Sequence, residues 1–382
     1  MIYLDNAATS GKKPESVYRA VDHALRNCSG NPGRSGHAVS LAAGKIVSDA
    51  RLQCARLFGA ADPSEISFGS NTTMALNTAI YGIARTGMHI ITSTLEHNSV
   101  ARPLEHLRNL GLEVTILPAS LDSGVDPDEL KKALRKETGL IVMTHISNVT
   151  GTVNDIAALG AVAREAGIPF LVDAAQSAGT RSIDVQRDQI DMLAFPGHKS
   201  LLGPQGTGGL YIRSSLSVEP LTRGGTGSFS ELPEQPERMP DRLESGTLNV
   251  PGLAGLAEGI RFILETGVDE IEKKERALRA CVFEGLSGIP GVTLYTPSAG
   301  HDAGNVLSFT MDGIDSAEVS AILDSAFGIA VRSGLHCAPY THRMLGTIHT
   351  GGTIRVSPGY FNEMTDAESF VEAIRTIQQE NA

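Results

Sequence analysis

Two rhythms of apolar and polar positions run through the first half of the chain. Val17, Ala20, Val21, Ala24 and Leu25 recur at the spacing of one helical face, and helical patterns return over residues 72–83, 127–135 and 156–166. Short apolar runs at 65–68, 89–92, 113–117, 140–144, 170–172, 192–195 and 209–212 read as strands. Strands separated by helices predict right-handed crossovers and a mostly parallel, seven-stranded sheet covered on both faces, an α/β architecture. Ligands of such sheets bind beyond the carboxyl ends of the strands, so the polar residues just after these runs are where chemistry is expected.

The pattern changes at 223–247. Gly224-Gly225-Thr226-Gly227-Ser228 leads into a stretch rich in proline and glutamate with little apolar content, which predicts a long loop of the kind that often carries function. Helical periodicity resumes over 252–265 and 268–286. Strand-like runs at 292–295, 306–309, 329–332 and 353–356 then mix with helices over 316–326 and from 366 onward, which predicts a smaller α+β domain.

Composition narrows the function classes. A chain of 382 residues is long enough for about two domains. Its net charge of −11 gives it no electrostatic reason to bind nucleic acid or an anionic membrane. No apolar run reaches bilayer length, and the opening Met1-Ile2-Tyr3-Leu4-Asp5 does not resemble a secretory leader, so the cytoplasm is the expected compartment. Cys28, Cys54, Cys281 and Cys337 lie far apart, which argues against a disulfide framework.

Four strand ends carry residues that fit one another. Asp173 follows an apolar run, where a simple helix cap is the bland alternative. Lys199 follows another, in Phe195-Pro196-Gly197-His198-Lys199, ahead of a glycine-rich segment over 201–209 whose backbone can pass close to a flat ligand. A lone lysine is usually solvated, but one that sheds its proton in a partly desolvated site can form a Schiff base. An acid beside it would hold a pyridine nitrogen protonated, the requirement of pyridoxal phosphate (PLP). Ser70-Asn71-Thr72-Thr73 before a helix offers an anion site for a phosphate, with plain capping as its alternative. His97 can stack on a ring and shuttle protons, or be structural.

With these motifs in order, the chain resembles the cysteine desulfurase / selenocysteine lyase family, within the class V aminotransferase-like, fold type I PLP enzymes. The resemblance rests on Tyr3-Leu4-Asp5-Asn6-Ala7-Ala8-Thr9, Glu96-His97, Ser147-Asn148-Val149-Thr150-Gly151, Asp173-Ala174-Ala175-Gln176, Gly197-His198-Lys199, Arg332-Ser333-Gly334-Leu335-His336-Cys337 and Gly352-Thr353-Ile354-Arg355-Val356-Ser357. It implies a large domain over 15–248 that binds PLP, and a small domain over 249–382 with residues 1–14 against it. It implies that Lys199 carries the cofactor, Asp173 pairs with the ring nitrogen, Gln176 binds the ring hydroxyl and His97 stacks on the ring. Thr72, Thr73 and His198 would hold the phosphate, and Thr247 would reach the phosphate of a neighbouring subunit in a homodimer. Asn148, Arg332 and Arg355 would bind the cofactor–substrate pair, with the carboxylate of L-cysteine on Asn148 and Arg355. Cys337, its thiolate favoured by Arg332 and His336, would take the substrate sulfur as a persulfide. The short Arg-x-Gly-x-His-Cys segment implies a fixed loop and a protein that collects the sulfur, be it a cluster-assembly scaffold, a thiolation pathway or a selenium route.

Three positions depart from the family pattern: Pro196 in place of a phosphate-binding serine, Met74 in place of an acid, and Leu335 in place of a second histidine. Selenocysteine lyase and a class V aminotransferase or β-lyase are the enzymatic alternatives, and a catalytically silent scaffold is the non-enzymatic one. A zinc site built from His336, Cys337, His342 and His349 matches no familiar spacing, so no metal is expected.

Overall fold

The computed structural model describes residues 1–33 and 36–381. Its centre is a seven-stranded sheet ordered Ile66–Gly69, Gly208–Ile212, Met192–Pro196, Phe170–Asp173, Thr138–Thr144, His89–Ser93, Glu113–Leu117. Gly208–Ile212 runs antiparallel to both neighbours, and every other pairing is parallel. Successive side chains go to opposite faces. Ile141 and Met143 join a core with Val172, Leu193 and Phe195, while Leu140 and Val142 join a second core with Leu171, Met192 and Ala194. Both faces are covered, which is why these strands read as continuous apolar runs instead of an alternation. Helices Ala38–Phe58, Ile156–Ala166 and Val250–Thr266 cover one face, and Thr72–Ile83 and Asn98–Asn109 cover the other.

Several elements fall on the expected residues, among them Thr72–Ile83, Glu113–Leu117, Ile156–Ala166 and Thr353–Val356. The expected loop is also seen: no helix or strand lies between Ile212 and Val250. Helices Ala38–Phe58, Asn98–Asn109 and Pro339–Met344 are not legible in the periodicity. The first buries small residues such as Ala43 and Ala50, whose apolar signal is weak, and the second contains Pro103, ordinarily a helix breaker.

The C-terminal part is built on a four-stranded antiparallel sheet ordered Arg332–Gly334, Thr353–Val356, Leu307–Met311, Val292–Leu294. Helices Val268–Ser287, Ser316–Phe327 and Met364–Glu380 pack on it through Leu278, Phe309, Val319 and Phe370. The run expected as a single strand at 329–332 divides between two sheets, because Ile329–Ala330 pairs with Ile2–Tyr3 instead. The N-terminal segment is thereby joined to the C-terminal part, with Leu4 inside its core. Among the described residues no helix is long and apolar enough to cross a membrane.

Candidate active site

The carboxyl edge of the large sheet opens on a cavity of about 210 Å³. Thr72, Thr73, His97, Asn148, Asp173, Gln176, His198, Lys199, Arg332 and Arg355 all line it. Those ten come from five strand ends of the large sheet and two strands of the small one, and the fold alone brings them together. Cys337 and Thr247 lie outside it. Cys337 lines an adjoining groove with Thr73, His97, Ser99 and Arg102. Thr247 is exposed on a different concavity beside Met74 and Thr207, where its hydroxyl accepts a hydrogen bond from Asn31.

Lys199 sits at the end of a tight turn after Met192–Pro196, fixed by Leu202 N–H donating to the Lys199 carbonyl at 2.8 Å. Burial, reinforced by the charges of Arg355 and Arg332 and opposed by Asp173, lowers its ammonium pKa to about 8. The turn is held by backbone contact: Gly197 N–H donates to the Thr207 carbonyl, and a Cβ on Gly197 would meet Thr207 Oγ1 at 2.0 Å. The glycine-rich segment over 201–209 therefore serves close packing of protein on protein, and none of its residues lines the cavity, contrary to the sequence expectation. Pro196 is likewise buried, closing its strand against Gly208.

Asp173 ends its strand and accepts from Ala175 N–H at 2.9 Å. Burial raises its carboxyl pKa, against the pull of that bond and of Lys199, and it makes no ion pair with a side chain among the described residues. His97 caps helix Asn98–Asn109, with Nδ1 accepting Ser99 N–H at 3.0 Å. A bare Nδ1 leaves the proton on Nε2. Burial and the charges of Lys199, Arg332, Arg355 and Arg102 drive the His97 pKa down to about 3, so the ring is a neutral donor through Nε2 and a poor base. That environment favours ring stacking over the proton shuttling weighed from sequence. Ser99, which carries no signal of its own in the sequence, ties the site together through 2.8 Å to His97 Nδ1 and 2.7 Å to Thr73 Oγ1.

At the anion site the cap is Asn71, whose Oδ1 accepts Met74 N–H at 2.9 Å. The helix's own ladder starts with Ala75 N–H on the Asn71 carbonyl, leaving the N–H groups of Thr72 and Thr73 outside it. Thr72 Oγ1 is buried and has no partner. His198 holds Thr9 Oγ1 through Nδ1 at 3.1 Å, and its carbonyl accepts from Ser10 N–H. Gln176 Nε2 donates to the Ala7 carbonyl at 3.1 Å. The N-terminal segment thus braces two cavity residues at once.

Arg355 is 1% exposed, and its Nη2 meets Asp5 Oδ1 at 2.6 Å while Nη1 donates to the Asn148 carbonyl. Asp5 is a site residue that sequence reasoning missed, its only signal being its place in the opening motif. Asn148 in turn donates through Nδ2 to the His336 carbonyl at 2.7 Å. Cys337 is pinned by its own carbonyl, which accepts Asn98 N–H at 2.7 Å. His336 and Cys337 have φ of 46° and 58°, the left-handed region that non-glycine residues avoid, so these anchors hold a strained turn that presents the thiol outward. Arg332 Nη2 reaches Cys337 Sγ at 3.6 Å, placing a cation beside any charge on that sulfur. His336 does not share this task. Its Nε2 donates to the Thr353 carbonyl, and burial keeps the ring neutral by lowering its pKa far below the ordinary value. Among the described residues no group of three or more His, Cys, Asp or Glu side chains is placed to hold a metal.

A family profile described as aminotransferase class-V matches residues 2–370. The chain belongs to that family, and within it to the cysteine desulfurase family. It is 35% identical to a probable cysteine desulfurase of Methanothermobacter thermautotrophicus, over 98% of this chain and 94% of the relative. A probable cysteine desulfurase of Pyrococcus abyssi is 33% identical, over 99% and 94%. Among solved structures, the apo cysteine desulfurase of Thermococcus onnurineus NA1 superposes with a TM-score of 0.92 at 33% identity, covering 99% of this chain and 95% of that one. The Escherichia coli cysteine desulfurase CsdA gives 0.88 at 29%, covering 100% and 95%. The fold type I arrangement, a mostly parallel seven-stranded sheet with a small antiparallel sheet, is thus shared with these enzymes.

The family is PLP-dependent, and the cavity fits that cofactor. Thr72 Oγ1 and the N–H groups of Thr72 and Thr73 are unspent donors at a helix N-terminus, suited to a phosphate. Asp173 is a buried acid with no cationic side chain bonded to it, suited to a protonated ring nitrogen, and Lys199 lies within its electrostatic reach.

Proposed function

We propose that this member of the cysteine desulfurase family converts L-cysteine to L-alanine and keeps the sulfur as a persulfide on Cys337. PLP, when bound, supplies an electron sink that weakens bonds at the substrate carbon next to the carboxylate. Lys199 is the anchor for the cofactor aldehyde and, with its lowered pKa, the group that moves a proton at the substrate carbon. Asp173 would hold the ring nitrogen, Gln176 would bind the ring hydroxyl, and neutral His97 would lie against the ring. Thr72, Thr73 and His198 would hold the phosphate, and Asn148, Arg332 and Arg355 would bind the substrate. Cys337 thiolate attacks the γ-sulfur; a sulfur–sulfur bond forms, and the carbon–sulfur bond breaks with its electron pair left on the substrate carbon, which takes up the proton the substrate thiol gave up and so becomes the methyl group of alanine.

The observation that carries this reading is Arg332, whose side chain lines the cavity and donates to Cys337 Sγ, linking the substrate chamber to a thiol outside it. The test compares the wild type with Cys337→Ala, given L-cysteine and, separately, L-selenocysteine. The variant is expected to keep cofactor absorbance and to lose Cys337-dependent alanine formation from cysteine. Full turnover of cysteine by Cys337→Ala would overturn the assignment, and faster turnover of selenocysteine than of cysteine by the wild type would move it to selenocysteine lyase.

The finer readings belong to the same proposal. The short, pinned segment 332–337 supports the Arg-x-Gly-x-His-Cys subgroup and a mobile acceptor protein, such as one of iron–sulfur cluster assembly, in the cytoplasm. Thr247, exposed and away from its own cavity, supports a homodimer in which it serves the neighbouring phosphate. The pairing of Ile2–Tyr3 with Ile329–Ala330 supports domains at 15–248 and 249–382, with 1–14 belonging to the latter.

A further inference from the structure

Beside Cys337 lies a second groove, of about 520 Å³, that the chemistry above does not use. One wall is the face of helix Asn98–Asn109 that carries Asn98, Ala101, Arg102 and Glu105, residues spaced three or four apart and so aligned. The other wall is Leu335, Pro339, Tyr340 and Arg343. Leu335 is 39% exposed, an aliphatic side chain left at the surface next to the thiol.

The charges of this groove are unbalanced. Glu105 is already committed, accepting from the Tyr340 hydroxyl and pairing with Arg108. Arg102 and Arg343 are exposed and make no ion pair among the described residues; Arg343 only rests over the Tyr340 ring. The chain as a whole carries −11, so its long-range field repels an acidic partner. Two unpaired arginines flanking a thiol are then a local exception to the charge of the molecule, and within a Debye length it is the local charge that a docked segment meets.

We propose that this groove docks an acidic, cysteine-bearing segment of the protein that accepts the sulfur. Its carboxylates pair with Arg102 and Arg343, an aliphatic side chain rests on Leu335 and Pro339, and its thiol is directed at Cys337. The inference rests on the desulfurase reading and adds the chemistry of the partner. In the transfer, the acceptor enters as a thiolate and attacks the outer sulfur of the Cys337 persulfide. A bond forms between the acceptor sulfur and the outer sulfur. The bond from the outer sulfur to Cys337 Sγ breaks, and its electron pair stays on Sγ beside Arg332. One thiolate and one persulfide become one persulfide and one thiolate, with no net oxidation.

The test begins with binding, which needs no turnover. A labelled peptide with a leucine and a central serine flanked by aspartates and glutamates is titrated into the holoenzyme, alongside its asparagine and glutamine counterpart. The acidic peptide is expected to bind at least about tenfold tighter at low salt, an advantage that shrinks as salt rises. R102Q and R343Q should each weaken it by about 1.4–5-fold, the range of single exposed ion pairs, and the double charge reversal R102E/R343E should abolish the preference. With cysteine in place of the peptide's serine, the same variants should slow sulfur transfer to the peptide by a larger factor than they slow sulfide release to dithiothreitol, and an equal slowing of both overturns the proposal. Equal affinity for the two peptides, or an intact preference in R102E/R343E, overturns the proposal. A change in sedimentation of the variants with peptide binding unaltered overturns it too, naming a second copy of the chain as the occupant. Failure of the desulfurase reading shows separately, as absence of Cys337 persulfide in the wild type, with the peptide titration unaffected.

Discussion

Glu96 is fully buried, with Oε1 accepting from Ser93 Oγ at 2.6 Å and Thr144 N–H at 3.0 Å and with Oε2 unpartnered. Burial lifts its pKa from 4.5 to about 8, and the neighbouring charge of Asp173 adds to the rise. The folded chain therefore holds a proton that the unfolded chain has released, and this stabilising contribution is lost as pH climbs toward 8. Glu96→Gln cannot ionise, so its stability relative to the wild type should improve between about pH 5 and pH 8, read from urea midpoints at both ends. Lys199 offers the opposite case of a depressed pKa. In cofactor-free protein the free amine should grow by about tenfold per pH unit up to about 8 and then level off. The initial rate of Schiff-base absorbance on adding PLP should track that curve, where an ordinary lysine would keep rising toward 10.5.

At the scale of elements, the long loop after Gly208–Ile212 is irregular but anchored. Its own Glu244 is 8% exposed, bonded by both oxygens to Arg51 of helix Ala38–Phe58 and by Oε1 to Phe68 N–H of the first strand of the large sheet. Removing one partner of a buried pair leaves the other charge uncompensated, at a cost of about 3–5 kcal/mol. Glu244→Ala should lower the thermal midpoint and make residues 223–247 the first site of limited proteolysis, whereas Glu244→Gln should retain part of the anchorage. The strained turn at His336–Cys337 depends on neighbours in the same way. Gly352 faces it with φ of 89°, and a Cβ there would meet the Gly334 carbonyl at 2.2 Å, so the two strands flanking the turn approach only because this residue has no side chain.

At the scale of the whole molecule, the first ten residues act as a strap. They pair with Ile329–Ala330, reach the Ser357 carbonyl, hold Gln176 and His198, and present Asp5 to Arg355. Arg355 is buried in the wall between the two sheets, and burial already lowers its pKa while Asp5 opposes that shift. Asp5→Ala should therefore destabilise the chain by about 3–5 kcal/mol and loosen PLP retention together, seen as a lower melting temperature and faster loss of visible absorbance on dialysis. Loss of stability with unchanged cofactor retention would show that the strap supports only the C-terminal part.

The layered sheet is legible in the amino-acid pattern alone, because strands covered on both faces must be apolar throughout and so declare themselves over 140–144, 170–172 and 192–195. So is most of the cavity. Asp173, Lys199, His97 and Thr72-Thr73 each come within five residues of the end of such a run, and the carboxyl edge of a parallel sheet gathers the residues at its strand ends. Helix Ala38–Phe58 stayed hidden since its buried face mixes small and polar residues such as Ser40, Ala43, Ala50 and Gln53 with few large apolar ones, and the 329–332 run could not show that it serves two sheets, since pairing partners are chosen by the tertiary fold. Interactions between residues far apart in the chain are set by folding and have no local signal: Asp5 on Arg355, Asn148 on the His336 carbonyl, and Glu244 on Arg51. The same holds for the division of labour around Cys337, where Arg332 faces the thiol while His336, its immediate neighbour in sequence, turns inward to Thr353 and stays neutral. Adjacent residues on a turn point in different directions, and only packing fixes which of them meets the sulfur.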